Sequence, residues 1–215
     1  MRTVLALCLI FLAPVTRACE TALLLSIDVS QSIDVSEYRL QVDGLADALR
    51  DPEIVDILVR DNVALSVVQW SGPDAQQVTI PWVRIRTALD VRALSDRARG
   101  MQRAFLMSNT APAEALDISL RQFGQVADCK RKIVDISGDG TANAGSEVAP
   151  FRRRAERLGI TVNAIAIEGL GVAITNYYSR KVITRDGFVI TARGHRDYPR
   201  AIREKILREI SQVIS

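Results

Sequence analysis

Apolar and polar residues alternate along this chain in two rhythms. Thr21 to Ile27 is an almost unbroken apolar run, the pattern of a strand buried on both faces. Ser36 to Leu49 instead spaces Leu40, Leu45, Ala46 and Leu49 among charges, which predicts a helix. Val63 to Trp70 predicts a second strand, closed by Ser71-Gly72-Pro73. Gln77 to Ile85 predicts a third, and Pro81 assigns it to a sheet edge because proline cannot donate to a ladder. Helices follow over Thr87 to Arg103 and Pro112 to Phe123, the latter with proline in its first turn. Lys132 to Ser137 predicts a strand and Ser146 to Leu158 a helix stopped by Gly159. Thr161 to Ile167 predicts a strand, Ile174 to Ile183 a short helix, Phe188 to Thr191 a last strand, and Tyr198 to Val213 a closing amphipathic helix.

Strands alternating with helices imply parallel βαβ units in an α/β fold, an open sheet covered on both faces. Ligands of such sheets lie at the carboxyl ends of the strands, where strand order reverses. Three segments fall there: Asp28-Val29-Ser30-Gln31-Ser32, Ser108-Asn109-Thr110 and Ser137-Gly138-Asp139-Gly140. All three offer oxygen donors and none a nitrogen or thiolate ligand. Ser30, Ser32 and Thr110 carry neutral hydroxyls, and Asp28 and Asp139 carry charge. That donor set suits a hard divalent cation, Mg²⁺ first, with Mn²⁺ or Ca²⁺ also accommodated. An open coordination position on such an ion attracts an Asp or Glu side chain from a protein partner. Asp135 competes with Asp139 for the role, but it lies inside a strand and is committed to one face of the sheet.

Composition narrows the class. The chain has 215 residues, 48% hydrophobic and 25% charged, and a net charge of +3, which suits one globular domain. The balance lacks the strongly basic face that nucleic-acid binding requires. Residues 1–18 read as a signal peptide: Arg2 opens it, Val4 to Leu12 are apolar, and Thr16-Arg17-Ala18 offers small residues for cleavage after Ala18. The apolar stretch is too short to span a membrane. Cleavage leaves a domain over 19–215 with a net charge of +1, in the periplasm or outside the cell. A lipidated Cys19 is the weaker alternative, because Thr16 stands where a lipobox carries leucine. Cys8 leaves with the signal. Cys19 and Cys129 remain, each just before an apolar strand, and if those strands are parallel neighbours their sulfurs meet and form a disulfide.

The three oxygen-bearing motifs, in this order and each at a strand end, resemble the von Willebrand factor type A domain with its metal-ion-dependent adhesion site. More narrowly, "CETALLLSIDVSQSID", "EYRLQVDGLADAL", "DISGDGTANAG" and "AIREKILREI" resemble a bacterial family of secreted A-domain proteins, the DUF1194 group. The resemblance implies a doubly wound, mostly parallel central sheet of about six strands flanked by helices, with the first strand central and the fourth beside it. It assigns the metal to Asp28, Ser30, Ser32, Thr110 and Asp139, and gives the domain a binding role in place of a catalytic one. Two positions depart from the family pattern. Gln31 replaces a glycine in the first motif, and Ser108-Asn109-Thr110 stands for Gly-Gly-Thr, where Asn109 can take a left-handed conformation.

Other residues are assigned to packing or solvent. Asn143 is expected to brace its loop, Trp70, Trp82, Tyr177 and Tyr178 to pack, Arg152 to Arg154 to face water, and His195 to sit in a solvated loop. Two further functions remain open from sequence. A metal-assisted hydrolase on phosphate or ester lacks a Gly-x-Ser-x-Gly elbow and a second aspartate two residues after Asp28. A structural domain with a degenerate site is motivated by Gln31 and Asn109.

Overall fold

The computed structural model describes residues 18–211. The expected signal peptide lies outside them except for Ala18, as do the last residues of the expected closing helix. Six strands form the sheet: β1 (Thr21–Asp28), β2 (Ala64–Trp70), β3 (Gln76–Arg84), β4 (Arg131–Gly138), β5 (Ile160–Glu168) and β6 (Val189–Arg193). Their order is β3-β2-β1-β4-β5-β6. All neighbours are parallel except β2 and β3, which pair antiparallel. β3 is an edge strand, as Pro81 requires. No helix separates it from β2, so the two form a hairpin.

Among the described residues seven α-helices cover the sheet: α1 (Val35–Ala48), α2 (Pro52–Arg60), α3 (Ala88–Arg99), α4 (Pro112–Gln122), α5 (Val148–Arg157), α6 (Ala173–Tyr177) and α7 (Tyr198–Ile210). β1 is buried at every position because both its faces are roofed. Leu23, Leu25 and Ile27 point into one core with α1, α2, α3 and α7, while Ala22 and Leu24 point into a second with α4 and α5. This is the period-two alternation of a strand serving two layers. α2 is absent from the periodicity reading. Asp51 caps it, accepting from the Glu53 and Ile54 N–H groups, and Pro52 opens its first turn. α3 ends at Arg99, four residues short of the expected boundary, and Arg103 is released for another task.

Cys19 and Cys129 are joined as a disulfide, with Cα atoms 4.5 Å apart. It lies where β1 and β4 begin, the Lys130 N–H donating to the Cys19 carbonyl at 3.1 Å. The two strands then run in register from Thr21 beside Arg131 to Ile27 beside Ser137. Their far ends carry Asp28 and Asp139 at the point where strand order reverses.

Candidate metal centre

The loop after β1 is folded by its own aspartate. Asp28 Oδ1 accepts the Ser30 N–H at 2.7 Å, and the Ser30 and Ser32 hydroxyls lie 3.3 Å apart. Arg103 clamps the same loop, its Nη2 donating to the Val29 and Ser30 carbonyls at 3.0 and 2.8 Å. Ser32 then donates to Asp139 Oδ1 at 2.7 Å, joining the loops of β1 and β4 across 107 residues of sequence.

Thr110 reaches this edge by a different route. Its N–H donates to Asn143 Oδ1 at 2.8 Å, and its carbonyl accepts the Asn143 N–H at 3.1 Å. A Cβ placed on Gly140 would lie 3.6 Å from the Thr110 hydroxyl, an ordinary contact distance, so the loop after β4 runs beside Thr110. The neighbouring Ser108 carbonyl accepts the Gln31 N–H at 3.0 Å, tying the first two motifs together. Asn109 does not use the left-handed conformation open to it; among the described residues the non-glycine with positive φ is Asn62. Asn143 braces the loop as expected. Trp70 is fully buried, and Trp82 donates to the Gln122 carbonyl at 3.0 Å. Arg154 pairs with Asp117 and Arg152 donates to the Arg180 carbonyl, so the arginine run is partly engaged.

Several polar atoms at this edge are left over. Asp28 Oδ2 and the Tyr178 hydroxyl are buried without a hydrogen-bond partner. A Cβ on Gly138 would come within 2.9 Å of Asp28 Oδ2 and closer still to the Tyr178 hydroxyl. Burial pushes Asp28 up to about 7; the Ser30 hydrogen bonds oppose this, the Asp139 charge adds to it, and Arg103 offsets it least. Burial beside Asp28 also raises Tyr178 well above the usual tyrosine range. A buried carboxylate with a free lone pair and a second carboxylate nearby fits a bound cation, which would supply the charge that the protein withholds. Among the described residues no three His, Cys, Asp or Glu side chains gather as a metal site. The donors here are two carboxylates and three hydroxyls.

His195 corrects an expectation. Its side chain is 9% exposed, against the solvated loop predicted for it, with Nδ1 3.0 Å from Glu37 and Nε2 4.0 Å from Asp139. The turn after β6 and the start of α1 meet at this point, and neither leaves a trace in local periodicity. Glu37 and Arg103 carry no mark for the site in the sequence, while Tyr178 is buried, as the packing expected of it requires. The one sequence signal is the Asp34/Glu37 capping pattern, which fixes Glu37 at the start of α1.

The six-stranded order, with a site at the reversal between β1 and β4, is that of a von Willebrand factor type A domain. The chain is similar in structure to proximal thread matrix protein 1 of the mussel byssus, 21% identical with TM-score 0.66, covering 88% of this chain and 47% of that one. A further structure of that protein has a zinc-occupied MIDAS motif. A von Willebrand factor type A protein from Catenulispora acidiphila is 16% identical with TM-score 0.64, covering 90% and 43%. The pilus adhesin SpaC of Lactobacillus rhamnosus GG is 12% identical with TM-score 0.66, covering 91% and 30%. This chain therefore spans less than half the length of each. No curated protein matches it. The family model described as "Protein of unknown function (DUF1194)" matches residues 18–214, and the chain belongs to that family.

Proposed function

We propose that this protein is an extracytoplasmic binding module whose divalent cation captures an acidic side chain of a protein partner. Asp28, Ser30, Ser32, Thr110 and Asp139 would hold the ion; bound there, it supplies a Lewis-acidic position for a carboxylate. The oxygen set by itself favours Mg²⁺, with Mn²⁺ or Ca²⁺ as substitutes. The observation that carries this reading is the Ser32–Asp139 hydrogen bond, which draws two motifs into one cluster beside an unsatisfied Asp28 oxygen.

A protein partner is supported by the surface around the site. Among the described residues seven large apolar side chains are exposed, and five of them lie at this edge: Val35 at the start of α1, and Leu106, Met107, Leu170 and Val172 in loops. Exposed apolar clusters with a polar centre mark association surfaces. The matrix and adhesin names of the structural neighbours agree with binding in place of catalysis. A location beyond the cytoplasm is supported by the disulfide. Among the described residues no helix is long and apolar enough to cross a membrane.

Melting in Mg²⁺, Mn²⁺ and Ca²⁺, with Asp28→Ala beside wild type, tests the centre. A rise in melting temperature with ion concentration is expected in wild type only. No rise with any ion returns the protein to the degenerate-site reading. A pull-down from extracytoplasmic extract should lose its captured partner in EDTA.

A further inference from the structure

The sheet has a second edge, where its parallel strands begin. β4 and β5 start there side by side, with Lys132 next to Ile160. Arg131 Nη2 donates to the Glu209 carbonyl at 2.7 Å, which holds the last turn of α7 against them. A cavity of about 380 Å³ lies at this junction, at the far end of the strands from Asp28 and Asp139. Four cationic side chains line it: Lys130, Arg131, Lys132 and Arg208. Lys130 pairs with Glu20 at 2.8 Å. Among the described residues the other three form no ion pair, yet each is held in place. Arg131 Nη1 also donates to Thr21 Oγ1 at 3.4 Å, and Lys132 donates to the Ala127 carbonyl at 3.2 Å. The Arg208 guanidinium lies 3.7 Å from the centre of the Phe188 ring. Stacking uses the face of a guanidinium and leaves its N–H edge for a ligand.

Two carboxylates share the lining. Asp186 is exposed and accepts the Thr161 hydroxyl at 2.9 Å. Glu209 is fully buried, and its Oε1 accepts from Lys205 and from Asn163. Its Oε2 is buried without a hydrogen-bond partner. A buried acceptor left unmet is costly, and a proton donor removes that cost. A bare oxyanion would be drawn in by the three cations and repelled by Oε2. An oxyanion that keeps an O–H answers both.

We propose that this cavity binds inorganic phosphate, with Arg131, Lys132 and Arg208 meeting its charge and Glu209 Oε2 accepting its P–O–H. Arginine and lysine donors to phosphate oxygens are charge-assisted and strong. Sulfate carries the same charge near neutral pH and no O–H, so it is the ligand the site rejects. A phosphodiester headgroup of a lipid lacks the O–H as well. The site shares no residue with the candidate metal centre and does not depend on it.

Calorimetric titration of metal-free protein with sodium phosphate and sodium sulfate at neutral pH and equal ionic strength tests this, on wild type, Arg208→Met and Glu209→Gln. Wild type should bind phosphate and take sulfate far more weakly. Arg208→Met should lose roughly 10–100-fold in phosphate affinity, as removal of a hydrogen bond to a charged group does. Glu209→Gln should narrow the gap between the two anions. In wild type, phosphate should shift the amide resonances of Gly159 and Thr161 and leave those of Gly138 and Asp139, a readout that needs no variant to fold. No phosphate binding, equal affinity for both anions, equal phosphate affinity in wild type and Arg208→Met, or shifts centred on Asp139 would each overturn the inference. Sedimentation with phosphatidylglycerol vesicles that phosphate competes away would give the cavity to a lipid headgroup and overturn it too.

Discussion

The protein buries carboxylates in two places and finishes them differently. Beneath α7, the fully buried Lys205 places Nζ 2.7 Å from Asp135 Oδ1 and 2.5 Å from Glu209 Oε1. Asn163 adds a hydrogen bond to Glu209 at 2.8 Å. At the carboxyl edge of the sheet, Asp28 and Asp139 receive a backbone N–H and a serine hydroxyl, and Arg103 is occupied with carbonyls. The interior cluster carries its own cation. The edge cluster has the same appetite for positive charge and no lysine to meet it. Charge left uncompensated at a strand-order reversal, with apolar side chains around it, is what the proposed binding site has and the interior ion cluster lacks.

Substitutions can break this contrast from either side. Lys205→Met strands two carboxylates in the core and should lower the unfolding free energy by about 3–5 kcal/mol, measured in denaturant. Near-wild-type stability would mean that Asp135 and Glu209 manage by sharing a proton. Asp28→Asn should act in the opposite direction in metal-free protein. Burial raises Asp28 from 3.8 to about 7, so its contribution to stability is whole below pH 3.8 and is lost as pH rises through 7. Metal-free wild type should therefore weaken across that window, and Asp28→Asn should exceed it above pH 7 by up to about 4 kcal/mol. Glu209, pushed up to about 7 chiefly by burial and then by Asp135, adds a slope of the same sign that Asp28→Asn leaves in place.

A bound cation should reverse the edge penalty. At one hundred times its Kd, the ion should stabilise wild type by about 2.7 kcal/mol and flatten the pH slope, with no gain in Asp28→Asn. Ser32→Ala removes one exposed hydrogen bond to Asp139, and melting should show a loss of about 1 kcal/mol in metal-free protein. A loss as large as that of Lys205→Met would place the edge among the structural clusters.

The contrast also shows what the sequence could and could not reveal. Elements whose period is carried by many residues were legible, including the buried run of β1 and the edge position of β3 through Pro81. So were the three oxygen-bearing motifs, because each sits beside a strand end. α2 escaped because it is nine residues long and announced mainly by Asp51-Pro52 and by Ile54, Ile57 and Leu58. Lys205 and Glu209 read as the polar side of an amphipathic helix, yet both turn inward. Only Asp135 on β4, seventy positions earlier than Lys205, explains why. The burial of His195 is hidden for the same reason: its partners Glu37 and Asp139 come from α1 and the loop after β4, and periodicity holds no record of distant partners.

The Cys19–Cys129 bridge has a mechanical consequence. β1 is a central strand with the bridge at its foot, and its tip carries Asp28. Tension applied at Cys19 divides between β1 and β4 two residues before β1 begins at Thr21. Peeling β1 away under load would then require tearing β4 free with it, so a tether at that end could be pulled hard before Asp28 and Asp139 were drawn apart.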